Sequence, residues 1–195
     1  MKVTITNEDW GALSPLSLTL IGRSPFLNSV DLKRIKYKKA YINQNLPDAD
    51  YVISFDNLFK PNEVKCPYIA PCNEYKIQKN EPNFDKNKKN LLGYCHFSAS
   101  IGINYAYLNG FENVFLVGID HNESEDRFLR FDNTTSNPIE RDLHKRFKEF
   151  VYKFKGKMNI YQTNPDTNWD LDYIDIRELY KGGQNEGKSY SKSVV

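Results

Sequence analysis

Phe97-Ser-Ala-Ser-Ile-Gly-Ile-Asn-Tyr-Ala-Tyr-Leu-Asn-Gly-Phe-Glu-Asn-Val-Phe-Leu-Val-Gly-Ile-Asp120 reads as a helix, a tight turn and a buried strand. Ser98 or Ser100 can cap the helix, Ile101, Tyr105 and Leu108 recur at helical spacing, and Asn109-Gly110 supplies the stop. The run from Asn113 to Ile119 is continuously apolar apart from its glycine. Such a strand is covered on both faces, as in a parallel sheet. A second segment, Leu18-Thr-Leu-Ile-Gly-Arg-Ser-Pro-Phe-Leu27, repeats the motif of a buried strand closed by a small-residue turn. In an open α/β sheet such turns line the crevice outside the carboxyl ends of the strands, where nucleotides bind.

Working outward, the pattern predicts strands over residues 17–21, 39–43, 50–55 and 113–119, with a short strand at 67–70 and a last one at 158–161. Residues 29–35 read as a short helix and 176–180 as a terminal one. Residues 139–154 read as an amphipathic helix with Leu143, Phe147, Phe150, Val151 and Phe154 on one face. Residues 73–90 are polar and Lys/Asn-rich, the composition of a solvated connection or flap. Residues 120–138 read as irregular. Strands alternating with helices imply a mainly parallel sheet. The expected fold is therefore α/β, three-layered and Rossmann-like, in a single domain over residues 1–182. Residues 183–195, rich in Gly, Ser and Lys, read as a disordered tail.

The 195 residues suffice for one sizeable core. Lys and Arg exceed Asp and Glu by only two, which makes no general case for a nucleic-acid partner; the basic run from Lys33 to Lys39 reads as a solvated helix end. No apolar stretch is long enough to span a membrane, and the N-terminus lacks the apolar core of a signal peptide. The expected location is the cytoplasm. Cys66, Cys72 and Cys95 are odd in number and not in CxxC spacing, which argues against a disulfide framework. His96, His121 and His144 are scattered and form no metal-ligand pattern.

Several residues at turns and strand ends are candidates for chemistry. The glycine of Gly22-Arg-Ser-Pro permits a tight turn and close approach of a phosphate or ribose, and Arg23 can pair with phosphate through two hydrogen bonds; the same segment also serves as a plain β–α turn. Ser98-Ala-Ser opens a helix whose amides attract anions, or simply caps it. Asp120 ends a strand and can hold a hydroxyl, a base amine or a metal, or cap its loop. His121 beside it is a candidate general base, or an exposed loop residue. Asn43 and Asp56 also fall at strand ends facing the same expected crevice.

Taken in order, these motifs resemble those of the small bacterial sialyltransferases of glycosyltransferase family 42. They are also similar to a wider Rossmann-like set that includes motility-associated glycosyltransferases and archaeal 6-hydroxymethylpterin diphosphokinases. The pattern there is Gly-x-Gly-Pro-Ser-Leu, then Thr-Ser-Gly, then Gly-x-Asp. Gly22-Arg23-Ser24-Pro25-Phe26-Leu27 corresponds to the first motif, with Ser24 for the second glycine and Arg23 for the usual small or amide residue. Asn43 stands where the family has an asparagine on the nucleotide's phosphate and ribose. Phe97-Ser98-Ala99 and Gly118-Ile119-Asp120 correspond to the second and third motifs, and Asn164-Pro165-Asp166 resembles a late Asn/Ser-Pro turn. The sialyltransferases carry a histidine base well after Gly-x-Asp and paired tyrosines for the leaving phosphate. Residues 121–140 contain no tyrosine, and their only histidine is His121. The nucleotide site is thus better preserved than the sialyltransfer machinery.

The resemblance implies a glycosyltransferase-like transferase that takes a nucleotide-activated sugar as substrate and needs no metal or other cofactor. Gly22, Arg23, Ser24, Asn43, Asp56 and Ser98 form the expected nucleotide site, and Asp120 and His121 the expected reacting centre. Two alternatives stand beside it. One is ATP-dependent pyrophosphoryl transfer, with a divalent metal on Asp120 and Asp56. The other is a non-catalytic module that binds a nucleotide or sugar.

Overall fold

A computed structural model describes residues 16–56, 58–71, 74–120, 143–167 and 169–181. The expected tail and His121 lie outside the described residues. Seven strands form one parallel sheet: β1 Ser17–Ile21, β2 Lys38–Ile42, β3 Tyr51–Ile53, β4 Tyr68–Ile69, and, further along the chain, the strands Asn113–Val117, Asn159–Gln162 and Asp172–Tyr173. Two more strands, β5 Lys76–Lys79 and β6 Leu91–Tyr94, pair in parallel as a separate small sheet. With those numbered, the later strands are β7, β8 and β9, and the large sheet runs β4-β3-β2-β1-β7-β8-β9.

That order reverses at β1. The chain moves outward from β1 through β2, β3 and β4, then returns to place β7 on the other flank of β1. Ile21 lies beside Tyr41 on one side and Val117 on the other. The gap above the carboxyl ends of β1 and β7 is therefore a topological switch point, where successive connections leave on opposite faces and open a crevice.

Two apolar layers bury the sheet. On one face α1 (Ser98–Leu108) and α2 (Leu143–Tyr152) cover Leu18, Leu20, Ile53, Val114 and Leu116. On the other, the segment from Phe26 to Tyr37 and α3 (Ile176–Lys181) cover Ile21, Tyr41, Phe115 and Val117. The fold is thus a single three-layer α/β domain with a parallel, Rossmann-like sheet. α1 is buried almost all round rather than on one stripe, because the sheet, α2 and β6 enclose it. At Gly102 a Cβ would stand 2.9 Å from methyl groups of Ile53 and Leu20, so the glycine lets the helix lie close on β1 and β3.

Several local expectations are corrected. Residues 29–35 form no α-helix; two 3₁₀ turns, Pro25–Ser29 and Leu32–Arg34, stand there instead. The side chains of Ser24, Ser29 and Asp31 hydrogen-bond nearby backbone and compete with a continuous helical ladder. The 73–90 segment is not simply a solvated connection, since it contains β5. Asn104, fully buried on α1, accepts from the amides of Asn83 and Gly93 and donates to the Asn83 carbonyl. Asn83 in turn donates to the carbonyls of Lys88 and Leu91. A carboxamide pair, rather than an apolar pattern, folds this polar stretch onto the helix. β3 and β7 end earlier than expected, at Ile53 and Val117, and β9 was not anticipated.

The closest approach in the sheet is at its centre. A Cβ at Gly22 would stand 2.2 Å from the Gly118 carbonyl oxygen. Because the obstacle is backbone, Gly22→Ala should destabilise by about 3 kcal/mol, the upper end for overpacking. Gly102→Ala meets only methyl ends and gains about 1 kcal/mol of helix propensity, so it should lie near neutral. Urea unfolding of both variants tests this; equal losses at the two sites would contradict it.

Candidate functional site

The turns after β1 and β7 lie against each other at the switch point. The Gly22 amide donates to the Val117 carbonyl (2.8 Å) and the Ser24 amide to the Gly118 carbonyl (3.0 Å). Gly118 has φ of 62° and its open side is filled by Leu27. The expected reason for Gly22, close approach of a phosphate, is therefore corrected: the space a side chain would take is filled by Gly118 and Ile119, so the glycine shapes the turn. Arg23 follows it, partly exposed at the edge.

Asp120 is the hub of this edge. The Ser24 hydroxyl donates to its Oδ2, and the Asn164 side chain hydrogen-bonds it as well. Asn164 also accepts from the Asp166 amide (3.0 Å). One carboxylate thereby joins the turns after β1, β7 and β8. Burial pushes the Asp120 carboxyl above the ordinary aspartate range, against the opposing hydrogen bonds from Ser24 and Asn164, and the charge of Asp166 adds to the rise. Asp120 is positioned to hold loops and Ser24 rather than to stand free as a base.

At the end of β2, Asn43 adopts φ of 55°, a left-handed conformation that asparagine tolerates. Its amide donates to the Ile53 carbonyl (2.8 Å), and its Oδ1 is buried without a hydrogen-bond partner among the described residues. Gln44, which sequence reasoning did not single out, donates from Nε2 to the Gly22 carbonyl (2.6 Å) and ties the β2 turn to the β1 turn. Ser54, at the end of β3, is also buried, its hydroxyl without a partner among the described residues.

Asp56 is exposed beyond β3. β2 and β1 separate β3 from β7, and three strand spacings amount to about 14 Å. The strands that lead to Asp56 and Asp120 are therefore not neighbours in the sheet. Among the described residues no group of three His, Cys, Asp or Glu side chains could hold a metal ion.

α1 begins at the same edge as these turns. Phe97 precedes it without a side-chain cap, and its ring packs on Phe147 and Trp169. The Trp169 indole N–H donates to the Ile119 carbonyl (2.5 Å), beside Asp120. Of the two serines considered as caps, Ser100 bonds locally: its hydroxyl donates to the Phe97 carbonyl and accepts from the Cys95 amide. Ser98, partly exposed, opens the helix with its hydroxyl outside that cap. Cys95 is buried and its thiol is pushed up to about 11, mainly by burial, so it is no thiolate at neutral pH.

A groove of about 690 Å³ lies elsewhere, between α2 and β8–β9, lined by Lys148, Tyr152, Lys153, Tyr161, Trp169 and Asp172 among others. None of the residues expected at the nucleotide site lines it. Two of its lysines are committed to carboxylates, Lys148 to Asp170 and Lys153 to Glu81, both at 2.7 Å. Size alone does not make it the reacting centre; the switch-point edge carries the convergent polar groups.

No protein-family model matches this sequence, and no curated protein matches it. Among solved structures the chain is similar to the sialyltransferase CstII from Campylobacter jejuni in complex with a substrate analogue, CMP-3FNeuAc. The identity is 12%, over 81% of this chain and 88% of that one, with a TM-score of 0.39. No helix among the described residues is long and apolar enough to cross a membrane.

The Asp120 geometry has a pH signature. A carboxyl whose folded pKa is raised binds its proton more tightly in the native state, so stability falls as pH rises from the unfolded value, 3.8, through the folded one. A carboxamide at this position cannot titrate, so the stability of Asp120→Asn relative to wild type should improve as pH is raised from about 3 to about 7. Urea unfolding across that range measures the difference; a gap that stays constant or moves the other way would contradict a raised Asp120.

Proposed function

We propose that this chain is a transferase that binds a nucleotide-activated sugar in the crevice above the carboxyl ends of β1, β2 and β7, without a metal ion. The observation that carries the reading is the Asn43 Oδ1, buried beside that crevice and without a partner among the described residues. An unsatisfied buried acceptor costs roughly 1–3 kcal/mol. A ligand that donates a hydrogen bond there, such as a ribose hydroxyl, relieves that cost. The order of motifs in the sequence supports the same reading, as does the switch-point topology.

In this reading Arg23 takes the donor phosphates through charge-assisted hydrogen bonds. Ser98 and the start of α1 add donors and a favourable dipole. Asn43 holds the nucleoside. The chemistry asked of the protein is orientation and stabilisation of the charge that develops on the leaving phosphate. Asp120, through Ser24 and Asn164, keeps the three turns in place. The separation of the strands that lead to Asp56 and Asp120 disfavours the pyrophosphoryl-transfer alternative, which needs both carboxylates on one ion.

Calorimetric titration with CMP, UDP, GDP and ADP tests binding. Asn43→Gly keeps the backbone conformation but removes the side chain, and should weaken the best nucleotide about tenfold. Arg23→Ala should weaken it roughly ten- to a hundredfold. Equal affinities in wild type and both variants would retire this site, and the absence of binding by any nucleotide would retire the function.

A further inference from the structure

Trp169 lies in the connection between β8 and β9, 3% exposed, and it reaches two separate parts of the crevice edge. Its indole N–H donates to the Ile119 carbonyl. Ile119 stands between the two acceptors of Ser24: Gly118, whose carbonyl takes the Ser24 amide, and Asp120, whose carboxyl takes the Ser24 hydroxyl. Arg23 is the residue before Ser24. The same indole ring lies 5.9 Å from that of Phe97, the residue before Ser98. Phe147 on α2 completes a triangle of rings, 4.6 Å from Trp169 and 4.8 Å from Phe97.

The connection that carries Trp169 is tied down along its length. The Thr163 hydroxyl donates to the Leu116 carbonyl (2.8 Å), and the Asn164 side chain bonds Asp120. Asp170, directly after Trp169, pairs with Lys148 of α2 at 2.7 Å. It adopts φ of 56°, a left-handed conformation that aspartate tolerates. The indole is thus anchored from both β8 and α2. Its ring is rigid and its N–H is a single donor of fixed direction. A ring that packs on Phe97 while its N–H holds Ile119 sets the distance between those two residues. A phenylalanine would supply the packing; the N–H adds a directional bond to the residue that the two Ser24 bonds bracket.

We propose that Trp169 is a positioning residue that fixes the spacing between the Arg23 turn and the start of α1. Those are the two groups of phosphate donors in the nucleotide reading above, on which this inference rests. Trp169 acts through Ile119 and Phe97 rather than on the nucleotide. The nucleoside end of the crevice, at Asn43, belongs to β2, which β1 separates from β7 and Ile119. Loss of the indole N–H accordingly weakens the hold on phosphate and leaves the hold on the nucleoside.

The test compares wild type, Trp169→Phe, Phe97→Leu and the double variant, each as the full chain. CMP, UDP, GDP and ADP are titrated by calorimetry, and cytidine, uridine, guanosine and adenosine by amide chemical shifts. Each single substitution should weaken the best nucleotide about three- to tenfold and leave the affinity of its nucleoside unchanged. The double variant should bind no more weakly than the weaker single one, because both substitutions act on one spacing. Should Trp169→Phe fail to fold by circular dichroism, Phe97→Leu makes the same comparison from the α1 side. An equal loss for nucleotide and nucleoside, wild-type affinity in both single variants, or losses that multiply in the double variant would overturn the positioning role while leaving the nucleotide site standing. Failure of every nucleotide to bind wild type would overturn the nucleotide reading and the positioning role together.

Discussion

The Gly118 carbonyl oxygen occupies the space where any side chain at residue 22 would stand. That contact sets the distance between the two central turns, and the arrangement of the edge follows from it. With Gly22 drawn in, its amide reaches Val117 and the Ser24 amide reaches Gly118. Ser24 is then placed to donate to Asp120, and the Gly22 carbonyl to accept from Gln44. A residue with a Cβ would push β1's turn off β7's and disturb these links together. The backbone approach is thus a precondition of the site rather than a part of its ligand-binding face.

The same edge shows how a parallel sheet converts order along the chain into chemistry in space. Asp120 arrives from β7, Ser24 from β1 and Asn164 from β8, and a single partly buried carboxyl joins them. Asn43 arrives from β2 and is held by the Ile53 carbonyl of β3. Burial makes each of these polar groups costly when unpaired, and nearly all of them are paired. The Asn43 Oδ1 and the Ser54 hydroxyl have no partner among the described residues, which is why they weigh more than the many satisfied groups around them. The groove between α2 and β8–β9 shows the opposite balance, with Lys148 and Lys153 held by neighbouring carboxylates.

The central strands were legible because β1 and β7 are covered on both faces, and full burial leaves a continuous apolar run. α1 was legible from Asn109-Gly110 and from helical spacing, although its all-round burial meant that no single stripe defined it. β5 was not legible: Lys-Ile-Gln-Lys holds one apolar residue, and its pairing depends on Asn83 and Asn104, whose contacts are long-range. The site was legible only as positions. The sequence pattern marked Gly22, Asn43, Ser98 and Asp120 as ends of elements, and the structure brings those ends to one edge. It also reassigns local roles, since Gly22 accommodates backbone, Ser100 rather than Ser98 bonds at the helix start, and Asp56 lies strands away from Asp120. Gln44 and Asn164 as links between turns had no local signal, because each acts on a partner distant in the chain.

The central claim is that the switch-point crevice, and not the groove between α2 and β8–β9, holds the nucleotide. Amide chemical-shift mapping of the isotope-labelled chain during titration with CMP, UDP, GDP and ADP tests it most directly. The account predicts that the largest shifts fall on Arg23, Ser24, Asn43, Gln44, Ser98 and Ala99. Shifts concentrated at Lys148, Tyr152 and Asp172, with the carboxyl edge of β1 and β2 unmoved, would contradict it.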